Sequence, residues 1–295
     1  MTIAACYLSS EGVVLGADST STMFVPSPGP QPFITQQHFN FAQKVFRIGE
    51  EGTLGIVMWG LGSMNETSYR TLIARFADGL KSQPPHTMSQ IAIRWNEFFH
   101  KAYLKTFEQE IQHTQRLMKQ EERTTEEQNE LMALIQNFSG GFCIGGCCLP
   151  DRTPEAFEVA YSPDQMTVQA PIAQDIGSAR FWGCPNLIHR LVYGVDFGIL
   201  DAIMQSGMWT GNEQDLFNVV EPHFLGQSTQ LPIREAIDWV HASIYATIKT
   251  MKFSHLAPVC GGPIEVAAIT SDRQFRWVCH KRLDSAVAHD GFPHV

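Results

Sequence analysis

No apolar run in this chain is long enough to cross a bilayer. The longest, such as Gly55-Ile56-Val57-Met58-Trp59-Gly60-Leu61, are a fraction of the roughly 20 residues a spanning helix needs. A basic region followed by an apolar stretch is missing at the start, so no signal peptide is expected and a cytosolic location is the default expectation. Clusters of Lys and Arg are also missing, and the formal net charge is −9, which argues against nucleic acid as a partner; no membrane partner is expected either. Charged residues make up only 17% of the chain against 44% hydrophobic, the balance of a globular protein with a sizeable core and not of a disordered segment. The seven cysteines are odd in number and show no zinc-site spacing: Cys143-x3-Cys147-Cys148 has no second ligand pair. They read as buried thiols in a reducing compartment. Gly60-x-Gly62 lacks a third glycine, which argues against a dinucleotide site. No metal and no cofactor is expected, and no internal repeat or low-complexity tract is present.

What is there is an alternation of strand-rich blocks and helix pairs. Residues 3–8 and 13–18 read as two apolar strands joined by a polar turn that contains Gly12. Residues 19–43, rich in Ser, Pro, Gln and Phe, read as a long loop. Strands are expected over 44–48 and 53–59. Ser63-x-x-Glu66 has the form of a capping box opening a helix through Phe76 that stops near Gly79. Thr87-x-x-Gln90 is a second such pattern, followed by one helical stretch from 88 to about 122, some 50 Å long at 1.5 Å per residue. Thr124-x-x-Glu127 starts a return helix to about 137, so that a helical hairpin over about 105–138 projects from the body. It is either a solvated face or a docking surface. Further strands are expected over 141–149, 157–161 and 166–176, and helices over 185–193 and between 199 and 218. A helix is expected over 232–253, with Pro232 at its start and Ile233, Ala236, Ile237, Val240, Ile244 and Ile248 on one face. A closing hairpin over 264–270 and 275–279 precedes loose final residues. This order predicts two packed sheets flanked by helix layers and not a parallel βαβ sheet.

The chemistry concentrates at the start. Small residues after a start methionine favour its removal, so the mature chain is expected to begin at Thr2. A strand starting there would hold a free α-amine and a hydroxyl on one carbon, the minimal apparatus of an N-terminal nucleophile in which the amine acts as base for its own side chain. Asp18 ends the second strand, and the hairpin returns it to the side of Thr2. Lys44 opens the next strand; a lysine there favours the unprotonated amine and the ionised hydroxyl, and an aspartate paired with it fixes its position. The amine starts at a pKa of about 7.7–8.0, so a modest depression suffices for general-base work near neutral pH. Gly60-Leu61-Gly62-Ser63 forms a strand-to-helix turn whose N–H groups could hold an oxyanion. Taken singly each residue has a plainer reading: Asp18 as a turn residue, Lys44 as a solvated strand start, and the glycines as turn formers.

These residues together make the chain resemble the proteasome β-type peptidases, including the bacterial proteasome-like peptidases, within the N-terminal nucleophile hydrolases. The likeness runs through Thr2-Ile3, the turn at Gly12, the stretch 12–18 with Asp18 at its end, Lys44, the 54–63 strand and turn, and Gly177-Ser178-Ala179. It implies an α+β fold, a four-layer αββα sandwich of two antiparallel sheets between helices, as one catalytic domain over 2–285 with a loose tail over 286–295. It implies catalytic roles for Thr2, Asp18, Lys44, Gly60 (the oxyanion amide) and Ser178 (a hydrogen bond to the terminal amine). It also implies a threonine endopeptidase cleaving peptide or unfolded protein inside a homo-oligomeric ring, fed by an unfoldase or cap. Ala257 and Cys260 stand where the resemblance leads one to expect an aspartate and a serine. Two alternatives stay open on sequence: an amidase or acyltransferase acting on a small or particular substrate, and a ring scaffold that has lost turnover.

Overall fold

The computed structural model describes residues 2–26, 34–49, 52–64, 67–165, 169–225, 230–255 and 259–281. The N-terminal hairpin forms as its pattern predicts: β1 (Ile3–Ser9) and β2 (Gly12–Ala17) are antiparallel, with Ser9 opposite Gly12. Every residue of both strands is buried. That burial on two faces is divided by the period of two. Ala4, Cys6, Leu8, Val13, Leu15 and Ala17 pack with Val57, Trp59, Cys143 and Ala156 from a second sheet. Ile3, Ala5, Tyr7 and Val14 pack instead with Val240 and Ile244 of the long C-terminal helix. A one-residue slip would exchange the two faces, so the hairpin register is strongly specified.

The remaining elements follow in chain order. After β3 (Ser21–Pro26) and β4 (Ile34–Phe39) come β5 (Val45–Arg47) and β6 (Leu54–Trp59). Helices α1 (Tyr69–Ser82), α2 (Met88–Thr106), α3 (Glu108–Met118) and α4 (Thr125–Phe138) separate these from β7 (Gly140–Cys147), β8 (Pro154–Tyr161), β9 (Ile172–Ala173) and β10 (Ser178–Gly183). Then α5 (Asn186–Tyr193), α6 (Phe197–Gln205), α7 (Glu213–Val220) and α8 (Ile233–Phe253) lead to β11 (Glu265–Thr270) and β12 (Arg276–Cys279). One five-stranded sheet has the order β10-β1-β2-β11-β12 and the other β5-β6-β7-β8-β9, with every pairing antiparallel. The fold is therefore mixed α+β, built on two large antiparallel sheets with eight α-helices among the described residues.

Helix α8 lies close enough to the first sheet that a Cβ on Gly16 would meet Val240 Cγ1 at 2.6 Å. The other large cluster joins β6, β7 and β8 to α1 and α2 through aromatic rings: Trp95 and Phe99 both meet Phe142 edge-on, at 5.0 and 4.6 Å between centroids. Each such buried side chain contributes about 1.5–3 kcal/mol relative to exposure. No helix among the described residues is long and apolar enough to cross a membrane.

Several sequence expectations are corrected. The loop over 19–43 contains a two-stranded sheet, β3 with β4 from Ser21–Phe39 to Pro26–Ile34. The first helix begins at Tyr69 with Ser68 as its cap, its Oγ accepting from Thr71 N. Ser63 does not cap it, because Met64 and Leu61 are first needed in the core; Glu66 lies outside the described residues. The stretch from 88 to about 122 is two helices. Phe107 (φ −116°) breaks them by turning its ring into the core against Phe138, 5.2 Å between centroids. Thr124 and Glu127 form the expected capping box. The hairpin α3–α4 is tied to the body through buried Phe107 and Ile111. Residues 166–168, Ala257 and the tail over 286–295 lie outside the described residues.

Candidate active site

Asp18 follows β2 directly and is fully buried. A lone carboxylate there would be costly, and four donors answer it. Its Oδ1 accepts from Lys44 Nζ at 2.6 Å and from Ile3 N at 3.1 Å; its Oδ2 accepts from Thr20 N at 3.1 Å and Gly261 N at 2.9 Å. The amide that follows Thr2 and the Lys44 ammonium thus share one oxygen. Thr2 itself is buried. The first hairpin and the start of the next sheet thus bring Asp18, Lys44 and the amide of Ile3, the residue after Thr2, into one buried cluster.

Lys44 is held along its backbone too: its carbonyl accepts from Met58 N at 3.0 Å, and its own amide donates to Glu265 Oε2 at 3.4 Å. Glu265 was not found by sequence reasoning. It lies opposite Ala17, is fully buried, and its Oε1 stands 3.0 Å from His280 Nδ1 and 3.3 Å from Lys281 Nζ. Burial holds the Lys281 ammonium below its usual lysine value, with the Lys44 and Arg70 charges adding to that and Glu265 opposing it. The available signal was one acid inside the apolar strand Ile264-Glu265-Val266-Ala267.

Gly60 closes β6 at φ +76°, a conformation open to glycine, and a Cβ there would meet Ser139 O at 2.4 Å. Its turn is needed by the packing whether or not its amide has a further use. Trp59, just before it, stacks on Trp182 of β10 at 4.4 Å between centroids and 6° between planes. Trp182 pairs with Ala4, so this stack joins the end of β6 to the Thr2 end of β1.

Ser178 is corrected. It pairs with Leu8, at the opposite end of β1 from Thr2, about 20 Å away at 3.3 Å per strand residue. Its Oγ donates to Asp175 O at 2.6 Å and has no reach to the cluster. β10 runs antiparallel to β1, so it is the end of β10 that meets Thr2. Gly183 pairs with Ile3 at φ +85°, and a Cβ on it would fall 1.9 Å from Thr2 O. The residue that follows, Cys184, and Cys260 beside Gly261 are both buried in the cluster under α8. The turn that meets Thr2 is therefore Gly183-Cys184 and not Gly177-Ser178-Ala179.

A cleft of about 430 Å³ opens beside Gln43 and Gly62, lined further by Ser63, Met64, Tyr69 and Arg70. Among the described residues no group of three His, Cys, Asp or Glu side chains could hold a metal ion.

No protein-family model matches the chain, and no curated protein matches it. Among solved structures it is similar to an Anbu (Gly-1) mutant from Hyphomicrobium sp. strain MC1, with a TM-score of 0.50 and 11% identity over 96% of this chain and 89% of that one. The resemblance to proteasome β-type peptidases is corrected accordingly: short matching motifs without a matching family model or relative do not make the chain a member of that family. What the likeness shows is a proteasome-like fold.

Proposed function

We propose that the chain is a hydrolase of amide bonds whose nucleophile is Thr2, acting as a threonine-type peptidase once Thr2 carries the free N-terminal amine. The observation that carries this reading is the buried Asp18 carboxylate, which binds Lys44 Nζ and the amide just after Thr2 through one oxygen. A buried ion pair is seldom favourable for stability alone, since desolvation offsets most of its attraction. One held against the amide next to Thr2 has a use if Thr2 reacts. In the proposed reaction the Thr2 hydroxyl attacks the substrate carbonyl and the α-amine takes its proton. The Lys44 charge favours the unprotonated amine, the Gly60 amide donates to the oxyanion, and water releases the acyl ester. The cleft by Gln43, Gly62 and Arg70 is of a size to take a substrate side chain.

The same reading takes the described elements as a four-layer αββα domain with α3–α4 as its helical extension. It takes the assembly as a homo-oligomer. Support for the latter comes from α6, whose residues include no buried one and whose Phe197 is 65% exposed, and from α5, whose Leu191 is exposed as well.

The test uses protein released from a cleavable leader so that Thr2 is the first residue. Its intact mass is measured with and without a peptide epoxyketone, alongside turnover of a peptide library and of small amides. A single adduct on the native protein that is absent from Thr2→Ala is the expected result. No adduct and no amide turnover in folded, Thr2-first protein would remove the reading and leave a scaffold. Turnover of small amides alone would move the substrate class from peptides to small molecules.

A further inference from the structure

The chain carries a formal net charge of −9, yet the fold gathers cations along one cleft. This second cleft, of about 630 Å³, lies between α1, the edge strand β5 and the edge strand β12. Helix α1 lines it with Arg70, Ile73, Ala74, Ala77, Asp78 and Lys81, positions three and four apart, so that one helix face runs its length. Arg70 and Lys81 are about 16 Å apart at 1.5 Å per residue, the span of about five residues of extended chain at 3.3 Å each. Arg47 lines the cleft from β5 and Trp277 from β12.

The floor is apolar. Phe46, Ile73 and Ala77 are buried members of the aromatic cluster under α1, and Phe275 belongs to the core between the sheets. Trp277 meets Phe275 edge-on at 5.1 Å and stacks on His280 at 4.2 Å between centroids, which fixes that wall. Charges beside such a floor are less screened than in open water. Among the lining residues Asp78 is the one acid against Arg47, Arg70 and Lys81. Its contact with Lys81 is 3.9 Å between exposed side chains, a weak pair. Arg70 donates to the Gln43 side-chain oxygen, a neutral acceptor. No ion pair among the described residues involves Arg47 or Arg70; Glu50 and Glu51 lie outside the described residues.

Gln43, Phe46 and Arg70 line both this cleft and the smaller one beside Gly62, so the two adjoin. Gln43 immediately precedes Lys44, whose ammonium binds Asp18. We propose that the cleft along α1 binds the part of a peptide substrate that does not react, and selects acidic side chains there. Arg47 and Arg70 receive the carboxylate of a Glu or Asp through charge-assisted hydrogen bonds, and the flanking residues of the peptide lie on Phe46, Ala74 and Trp277. The charge of the lining calls for an acid, and its length along one helix face calls for an extended chain. A small inorganic anion would use one end of it alone. The binding is independent of the hydrolase reading; that the bound peptide is a substrate rests on that reading.

The experiment is fluorescence anisotropy of the full chain with a rhodamine-labelled, amidated decapeptide carrying two glutamates. The same peptide with glutamines or with lysines at those positions is the comparison. Peptide integrity is checked by mass, so that cleavage is not read as weak binding. The glutamate peptide should bind about tenfold more tightly than the glutamine peptide, the effect of one charge-assisted hydrogen bond, and the preference should shrink as salt rises. The net charge of −9 favours the lysine peptide elsewhere on the surface, so a glutamate preference reports the cleft. Arg47→Gln with Arg70→Gln should abolish the preference. Arg47→Glu with Arg70→Glu should turn it toward the lysine peptide, which loss of folding cannot do. Lys249→Gln, on α8, should leave it as in the native chain. Equal or undetectable binding of the glutamate and glutamine peptides would overturn the proposal, as would a preference that survives the paired arginine substitutions. Displacement of the glutamate peptide by inorganic phosphate at a similar concentration would also overturn it, by making the site one for small anions. A chain that shows the preference but takes no epoxyketone adduct keeps this site and loses the reaction; one that takes the adduct without the preference does the reverse.

Discussion

The two ends of β1 share a strand, a sheet and complete burial, yet they are built from different interactions. At the Thr2 end a buried carboxylate gathers four donors, an ammonium among them, and glycine is required where the backbones of Gly183 and Thr2 touch. At the Leu8 end the contacts are neutral: Leu231 N donates to the Tyr7 hydroxyl at 2.9 Å, Gly177 N to Leu8 O at 2.7 Å, and Ser178 Oγ to Asp175 O. Neutral hydrogen bonds of this kind contribute about 0.5–1.5 kcal/mol each and do the ordinary work of closing a turn. The desolvated charges at the other end are the expensive kind, so the strand concentrates its cost where a reactive residue would need a fixed environment.

That contrast can be broken by substitution. Asp18→Asn has the largest expected effect, because it leaves the buried Lys44 ammonium without its counter-charge. A loss of about 3–5 kcal/mol is expected in urea unfolding, with loss of any Thr2 reactivity. A loss below about 1 kcal/mol, the range of exposed pairs, would mean that Lys44 swings to solvent and that the pair is not confined. Gly183→Ala comes next. A left-handed backbone alone costs a non-glycine residue about 1–2 kcal/mol, and the contact with Thr2 O adds to it, so both stability and epoxyketone labelling should fall. Unchanged labelling would separate Gly183 from the site. Ser178→Ala is the smallest: about 1 kcal/mol or less, with labelling of Thr2 as in the native protein. A large drop in labelling would restore a role for Ser178 that its position denies.

Much of the fold was legible because it depends on pattern. The alternation in β1 and β2 and the apolar face of α8 each specify an element by its own period, and Thr124 with Glu127 specifies a helix start by local hydrogen bonds. The failures share a cause as well. Ser63 and Ser68 are both competent caps, and the choice between them was made by the core's demand for Met64 and Leu61. The helix expected to run on to about residue 122 was interrupted because burying Phe107 outweighed continuing the helical dihedrals. Neither demand is visible in a local window.

The candidate site divides the same way. By itself the sequence determined that Thr2 opens a buried strand, that a hairpin brings Asp18 back to it, and that Lys44 begins the following sheet, since short connections and strict alternation leave a hairpin little freedom. Only the tertiary structure decided which end of β10 meets Thr2, because the direction of a strand arriving from far along the chain is set by the sheet it joins. It alone placed Glu265 behind Lys44 and Gly183 against Thr2, contacts made across long stretches of chain by the pairing of strands within the first sheet.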